Sequence, residues 1–315
     1  MNLRKGLTLV ELVVVLVILG LLLAVTLPAT LRIRESGRAM HCRNNLRQIS
    51  LGFLGYESSN AHFPPGYLGV VQVAEPQLGG FRREGSLAGH LLYVLSYLES
   101  HSLANELRRS TPSPFVPHQH LWHETEYAIK VQQSRIPTLE CPSVDFSGAR
   151  SRIIAMEPWG SSVRYYADSA APGEASFTSY LGNGGINGRN DQTPASDLGV
   201  FYVNSRVRFK DIRDGGTNTI LVGETRGAVS DGLNAASLHY PASSPARTAD
   251  GFFHVELQLK GSLGGASSFG SFHPNGVNLS FCDGSTKYVA DTTNPNIVRS
   301  LSTVAGLDVG ENGVD

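Results

Sequence analysis

Gly6-Leu7-Thr8-Leu9-Val10-Glu11 opens an apolar run that closes only at Leu27, interrupted by Thr8, Glu11, Gly20 and Thr26. The 21 residues from Leu7 to Leu27, at a helical rise of about 1.5 Å each, reach roughly 30 Å, the depth of a bilayer's hydrocarbon core. Arg4 and Lys5 precede the run, which keeps the short N-terminus cytoplasmic and sends the body across. A secretory signal peptide is a poorer match: the run is longer than an ordinary signal core, and no small-x-small cleavage site follows Pro28. A plain signal anchor leaves Glu11 unexplained, since a carboxylate in hydrocarbon costs on the order of 2–3 kcal/mol or more.

The stretch Gly6 to Glu11 resembles the processing site of type IV prepilins and type II secretion pseudopilins. The resemblance implies cleavage after Gly6 by a membrane prepilin peptidase, N-methylation of Leu7 by the same class of enzyme, and Glu11 as the fifth mature residue. The physical chemistry agrees. Cleavage creates a cationic amine at Leu7, one helical turn from Glu11, and in a filament the amine of one subunit can neutralise the Glu11 of its neighbour.

Below the span, Pro28 predicts a bend or break in the stem. Ala39, Cys42, Leu46, Ile49, Phe53 and Tyr56 then recur at spacings of three and four, the stripe of an amphipathic helix. Arg38, Arg43, Asn44 and Arg47 fall off it. The stem is therefore expected to run to about Tyr56 and lay this stripe on a sheet. Residues 1–50 carry a local balance of +5 within a chain of net charge −1, so the remainder carries −6. A basic stem beside a membrane suits anionic lipid or an acidic partner, whereas the overall balance excludes any global argument for nucleic acid.

In the remaining chain, 34 Gly, 16 Pro and a charged fraction of 17 % point to a body rich in loops and strands. A helix is expected over 87–109, with Leu91, Leu92, Leu95, Leu98 and Leu103 on one side, and a short amphipathic stretch over 121–133. Strands are expected at Ile136–Pro142, Gly199–Val203, Thr219–Glu224 and Phe252–Leu259, and surface loops over most of 143–200. Asp283-Gly284 between Val277–Cys282 and Ser285–Ala290 predicts a two-residue hairpin in which Phe281 faces Thr286 and Leu279 faces Tyr288. Asn294 is placed to cap a helix starting at Pro295, with Ile297, Leu301 and Val304 as its apolar face and Gly306 as its end. The fold class is α+β and pilin-like: a long N-terminal helix packed on an antiparallel β-sheet with long loops. The expected divisions are a leader at 1–6, a membrane or filament stem at 7–28, an amphipathic continuation at 29–57 and an exported globular head at 58–315.

Several blocks together resemble one family, the prepilin-like family of planctomycete bacteria known as domain of unknown function 1559. Its C-terminal signature, His, nine residues, Asp-Gly, is matched by His273 and Asp283-Gly284. Cys42–Ile49, Phe63-Pro64-Pro65-Gly66, Leu139–Ser143, Tyr180–Gly184 and Asp214–Thr219 are similar to further blocks. Gly215-Gly216-Thr217 and Pro274-Asn275-Gly276 depart slightly from the usual wording. The family has no established activity, so the match implies fold and location more than function.

Few constellations suggest chemistry. His118, His120 and His123, with Glu124, have spacings that can hold zinc, but a solvated polar loop anchored by Trp122 is favoured. His273 and Asp283 can form a catalytic pair or simply fix a turn, and no nucleophile motif accompanies them. Asn183, Asn187, Asn190 and Asp191, or Asp211 and Asp214, offer oxygen ligands for a hard cation, with too few carboxylates for a strong case. Cys42 and Cys141 can pair in an oxidising compartment or stay free, and Cys282 is expected free. Phosphate-loop, serine-elbow and zincin motifs do not occur in the sequence. The expectation is a non-enzymatic subunit of a secretion or surface-filament system with no cofactor. It would be anchored in the inner membrane with its head in the periplasm or at the cell surface. Its partners would be the prepilin peptidase/N-methyltransferase, other pilin-like subunits through the stem, and the membrane. A membrane-tethered glycan- or protein-binding head is the alternative, and a tethered hydrolase using His273 and Asp283 is a third reading.

Overall fold

In the computed structural model, the apolar run and the stripe below it form one helix, α1, Leu9–Asn60. The structure describes residues 9–66, 68, 88–98, 101–109, 134–144, 151–159, 162–169, 178–186, 194–202, 204–225 and 269–306. The stretches expected as a helix at 121–133 and a strand at 252–259 lie outside them. α1 continues through Pro28 rather than breaking there. The proline removes one backbone bond, while the hydroxyl of Thr26 donates to the Leu22 carbonyl at 2.8 Å and that of Thr30 to the Leu27 carbonyl at 2.8 Å. Cys42, Leu46, Ile49 and Phe53 are fully buried, so the expected stripe is the one the head covers. The helix ends four residues later than expected, where Ala61 turns to φ 60° and Phe63-Pro64-Pro65 prevents continuation.

Among the described residues the strands form two sheets. β1 (Ser151–Trp159) and β2 (Ser162–Ser169) are an antiparallel pair. This corrects the expectation of loops across 143–200: Gly- and Ser-rich flanks conceal two runs of β-branched and aromatic residues. The second sheet is antiparallel, with β3 (Tyr180–Gly182), β4 (Ile220–Glu224), β5 (Gly276–Phe281) and β6 (Thr286–Ala290) in that order. α1 packs on β4, β5 and β6. On the helix side, Cys42, Leu46, Ile49 and Phe53 meet Leu221, Val222, Phe201 and Cys282 in one core. On the other side Ile220, Val277, Leu279 and Phe281 meet Phe269, Val298 and Leu301. An irregularity in the β4–β5 register falls between Ile220 and Val222 and lets the neighbouring Leu221 and Val222 both serve the helix-side core. The short helix α4 (Pro295–Ser300) covers the far face, capped by Asn294, whose side chain accepts from Asn296 N–H at 2.9 Å as expected. α4 is shorter than the sequence suggests: the chain leaves the helix after Ser300 and carries Val304 to the helix-side core.

The hairpin is where the sequence places it, but its register is one residue off the expectation. Ser280 faces Thr286, Leu279 faces Lys287, and Asn278 faces Tyr288. The loop has three residues, Cys282-Asp283-Gly284, because Gly284 takes φ 83° and Phe281 N–H bonds to the Ser285 carbonyl. That is the turn-plus-bulge alternative to a two-residue loop, and Asp-Gly suits both.

Three further expectations change. The helix over 87–109 is broken into α2 (His90–Val94), a 3-10 turn (Leu95–Tyr97) and α3 (His101–Arg109). The tightening brings Tyr97 and Leu98 onto Gly52 and Gly55 of α1, where a Cβ at Gly55 would stand 2.8 Å from the Tyr97 ring. Ile136–Pro142 holds a 3-10 turn at Pro137–Leu139 instead of a strand, since Pro137 fixes φ at a helical value. Residues 199–202 run without a strand ladder, and Phe201 N–H bonds to the Asn183 carbonyl at 2.8 Å.

His90 sits fully buried between the rings of Phe53 and Phe201. Gly182 N–H donates to its Nε2 at 3.1 Å, which places the proton on Nδ1, 3.2 Å from the Gly66 carbonyl. Burial pushes its pKa down to about 4 against an ordinary 6.5, with the Gly66 carbonyl opposing. The folded protein thus favours the neutral ring. Its contribution is complete above pH 6.5 and is lost as pH falls from there toward 4, a change on the order of 3 kcal/mol. We predict that unfolding free energy measured across this interval falls more steeply for the native chain than for a His90→Leu variant. Equal slopes would contradict the assignment.

Candidate functional site

Two features of α1 set it apart. From Leu9 to Leu27 every large side chain is about half exposed or more. An 18-residue window there has a mean hydropathy of 3.0 with none of it covered by the head, so its length and composition suffice to cross a membrane. Glu11 lies in the first described turn, and its side chain is on the exposed surface. Gly6 and Leu7 lie outside the described residues.

The second feature lies two to four turns below the span, where α1 meets the head. Glu35 and Cys42 share the stripe that begins the packed half, and Cys42 forms a disulfide with Cys141, Cα to Cα 5.1 Å. The pairing left open by the sequence is thus made, and Cys282 is free and buried as expected. Cys141 is held by its own N–H, which donates to Ser179 Oγ at 2.9 Å. Beside the disulfide lies His273, with Nε2 3.5 Å from Cys141 Sγ and 3.4 Å from Glu224 Oε1. Its Nδ1 lies 2.6 Å from Glu35 Oε1. Glu224, at the end of β4, is fixed by Asn278, whose backbone N–H and side-chain amide donate to it at 2.8 and 3.0 Å. Ser143 Oγ donates to Glu35 at 3.1 Å, and Arg38 stands 3.6 Å away.

Both ring nitrogens of His273 therefore face carboxylate oxygens, the arrangement of an imidazolium donating on each side. Burial pulls its pKa down, but Glu224 and Glu35 outweigh it and the net direction is up. Buried carboxylates are costly unless paired, and this ring supplies the partner for Glu224. The cluster ties stem to head twice, once covalently through Cys42–Cys141 and once through Glu35–His273–Glu224.

His273 and Asp283 do not form a pair. Asp283 accepts from Ser285 N–H at 2.9 Å inside the hairpin loop, while His273 turns to Glu35 and Glu224. Ser143 Oγ is 3.5 Å from His273 Nδ1, but it donates to Glu35, so the ring is not placed to take its proton. The oxygen-ligand candidates serve the fold. Asn183 donates to the Ile220 and Ser302 carbonyls, both at 2.8 Å. Asp211 pairs with Arg208, and Asp214 accepts from Thr303 and Gly306. His118, His120, His123, Glu124, Asn187, Asn190 and Asp191 lie outside the described residues. Sequence reasoning missed Glu35 and Glu224. Glu35 was within reach, since it extends the stripe of Ala39 and Cys42 at the same spacing.

The disulfide closes a loop of 99 residues. Removing such a crosslink typically costs about 2–5 kcal/mol. The Cys42→Ser/Cys141→Ser double variant should therefore unfold its head at clearly lower temperature in detergent, followed by circular dichroism. An unchanged transition would mean that the crosslink does not constrain the unfolded chain.

Comparison with known proteins agrees with this architecture. No curated protein and no solved structure matches the chain. Residues 1–27 match the prokaryotic N-terminal methylation motif, which marks a type IV pilin-like prepilin. Residues 32–252 match the family described as protein of unknown function DUF1559, a match that begins just above Glu35 and ends before His273. A match over most of the chain, joined to a methylation motif on the helix that carries the head, shows that this protein belongs to the DUF1559 family.

Proposed function

We propose that the protein is a structural, non-enzymatic subunit of a secretion or surface-filament system. It is cut after Gly6, N-methylated at Leu7 and assembled with other pilin-like subunits through α1. Before assembly α1 anchors it in the inner membrane, with residues 1–6 as leader, 7–28 as the span, 29–57 as the packed continuation and 58–315 as a head in the periplasm or at the cell surface. The observation that carries this reading is the contrast within one helix. One stripe of its lower half is buried by its own head, while its upper half, apolar but for Glu11 and small or hydroxyl side chains, is uncovered. Such a surface needs either hydrocarbon or the stems of like subunits around it. Arg4 and Lys5 support the orientation.

Glu11 has a definite task in this scheme. The amine freed at Leu7 of an adjoining copy neutralises it when the stems pack away from water, which offsets the cost of a carboxylate in an apolar bundle. The prepilin peptidase acts at the membrane before that step and adds the methyl group to the new terminus.

Mass spectrometry of the protein purified from its own membranes tests the processing. The expected N-terminus is a singly methylated Leu7, and an intact Met1 would refute it. Glu11→Val should leave membrane insertion unchanged and abolish co-assembly, read as loss of high-mass species after crosslinking in cells. If the variant assembles like the parent, the helix is only a tether, and the head is better read as a membrane-bound binding protein.

A further inference from the structure

We propose that when Cys42 and Cys141 are thiols the joint between stem and head is a metal site. Cys42, Cys141, His273 and Glu224 would together bind one zinc ion or a similar borderline divalent cation. The joint then has two closed forms, one locked by the disulfide and one locked by the metal.

One sulfur from each cysteine, a ring nitrogen of His273 and a carboxylate oxygen of Glu224 all lie within 4.8 Å of one another. All four residues are buried, none more than 4 % exposed. Two thiolates, one imidazole and one carboxylate make a four-coordinate donor set that suits zinc. The sulfurs exclude calcium and magnesium, which take oxygen ligands. Two sulfurs on one zinc at about 2.3 Å each stand roughly 3.8 Å apart in a tetrahedron. The Cα atoms are already 5.1 Å apart, so rotation of the two side chains can supply that separation with the backbone in place.

The surroundings of His273 are those of a metal ligand. Glu35 Oε1 at 2.6 Å fixes the Nδ1 side of the ring and leaves Nε2 aimed at the sulfur and at Glu224. A carboxylate on the far nitrogen orients a ligating histidine and raises its basicity. Glu224 is likewise held by Asn278 through two hydrogen bonds. The four ligands come from α1, the turn after Pro137–Leu139, the end of β4 and the approach to β5, so no local spacing in the sequence announces them.

The chemistry balances. Reduction by a dithiol delivers two electrons and two protons to the two sulfurs, and the donor leaves as its own disulfide. One divalent ion then displaces both thiol protons and the Nε2 proton of His273, releasing three protons to solvent. The disulfide form offers the ion only His273 and Glu224.

Cobalt(II) is the probe, because it takes tetrahedral thiolate sites and absorbs there. The full-length protein in detergent is reduced with a phosphine, which is then removed, and is titrated with cobalt and afterwards with zinc. The expected result is a thiolate-to-cobalt charge-transfer band that saturates at one equivalent and is abolished by one equivalent of zinc. The disulfide form should show no band. Glu35→Gln, which changes no ligand, should keep the band and weaken cobalt binding about 10–100-fold. Cys282→Ala should leave band and affinity as they are, since that thiol is not among the four ligands. No band in a reduced protein that keeps its far-ultraviolet dichroism would overturn the proposal. So would loss of that dichroism on reduction, or equal cobalt binding by both forms.

Discussion

The seating of Cys42, Leu46, Ile49 and Phe53 on the sheet is the contact on which the rest of the molecule depends. It decides which half of α1 is interior and which half is left for other surroundings. Fully buried Leu46, Ile49 and Phe53 contribute roughly 1.5–3 kcal/mol each from water exclusion. They also present a single face to β4, β5 and β6, so the helix cannot rotate on the sheet without uncovering them. The remaining head contacts follow from this placement. Tyr97 and Leu98 close over Gly52 and Gly55, and His90 fills the space between Phe53 and Phe201.

Around that apolar seat the polar groups are arranged so that burial is tolerated. Glu224 and His273 are both inaccessible, and each would be costly alone. Together with Glu35 and Asn278 they form a connected set in which each ring nitrogen and carboxylate described has a partner. The same residues lie against the crosslink from Cys42 to Cys141, so apolar, ionic and covalent fastening coincide in one short stretch of the stem.

Much of this was legible from residue order alone, and the limits have physical causes. The apolar helix, the stripe, the Asn294 cap and strand β4 are local patterns with strong periods or caps, and they stand as read. The hairpin was found at Asp283-Gly284, yet its register was not, because those two residues fit a two- or a three-residue loop and only the left-handed Gly284 decides. β1 and β2 were hidden by averaging over Gly- and Ser-rich neighbours. The cluster around His273 was the least visible feature. Its members are separated by up to 238 positions, the span from Glu35 to His273, and they meet only after the sheet has formed. Glu224 in particular reads as the polar end of an apolar strand until Asn278 is placed opposite it.

α1 is unbroken from the hydrophobic span into the head, through Pro28. Cys42 lies fifteen positions after Leu27, a rigid strut of about 22 Å. The strut sets both a distance and a direction. In the proposed membrane-anchored form it sets the height at which the sheet stands off from the lipid surface. Because consecutive residues of the helix are set about 100° apart, the number of residues between Leu27 and Cys42 also fixes the direction in which the head faces relative to the uncovered part of the rod.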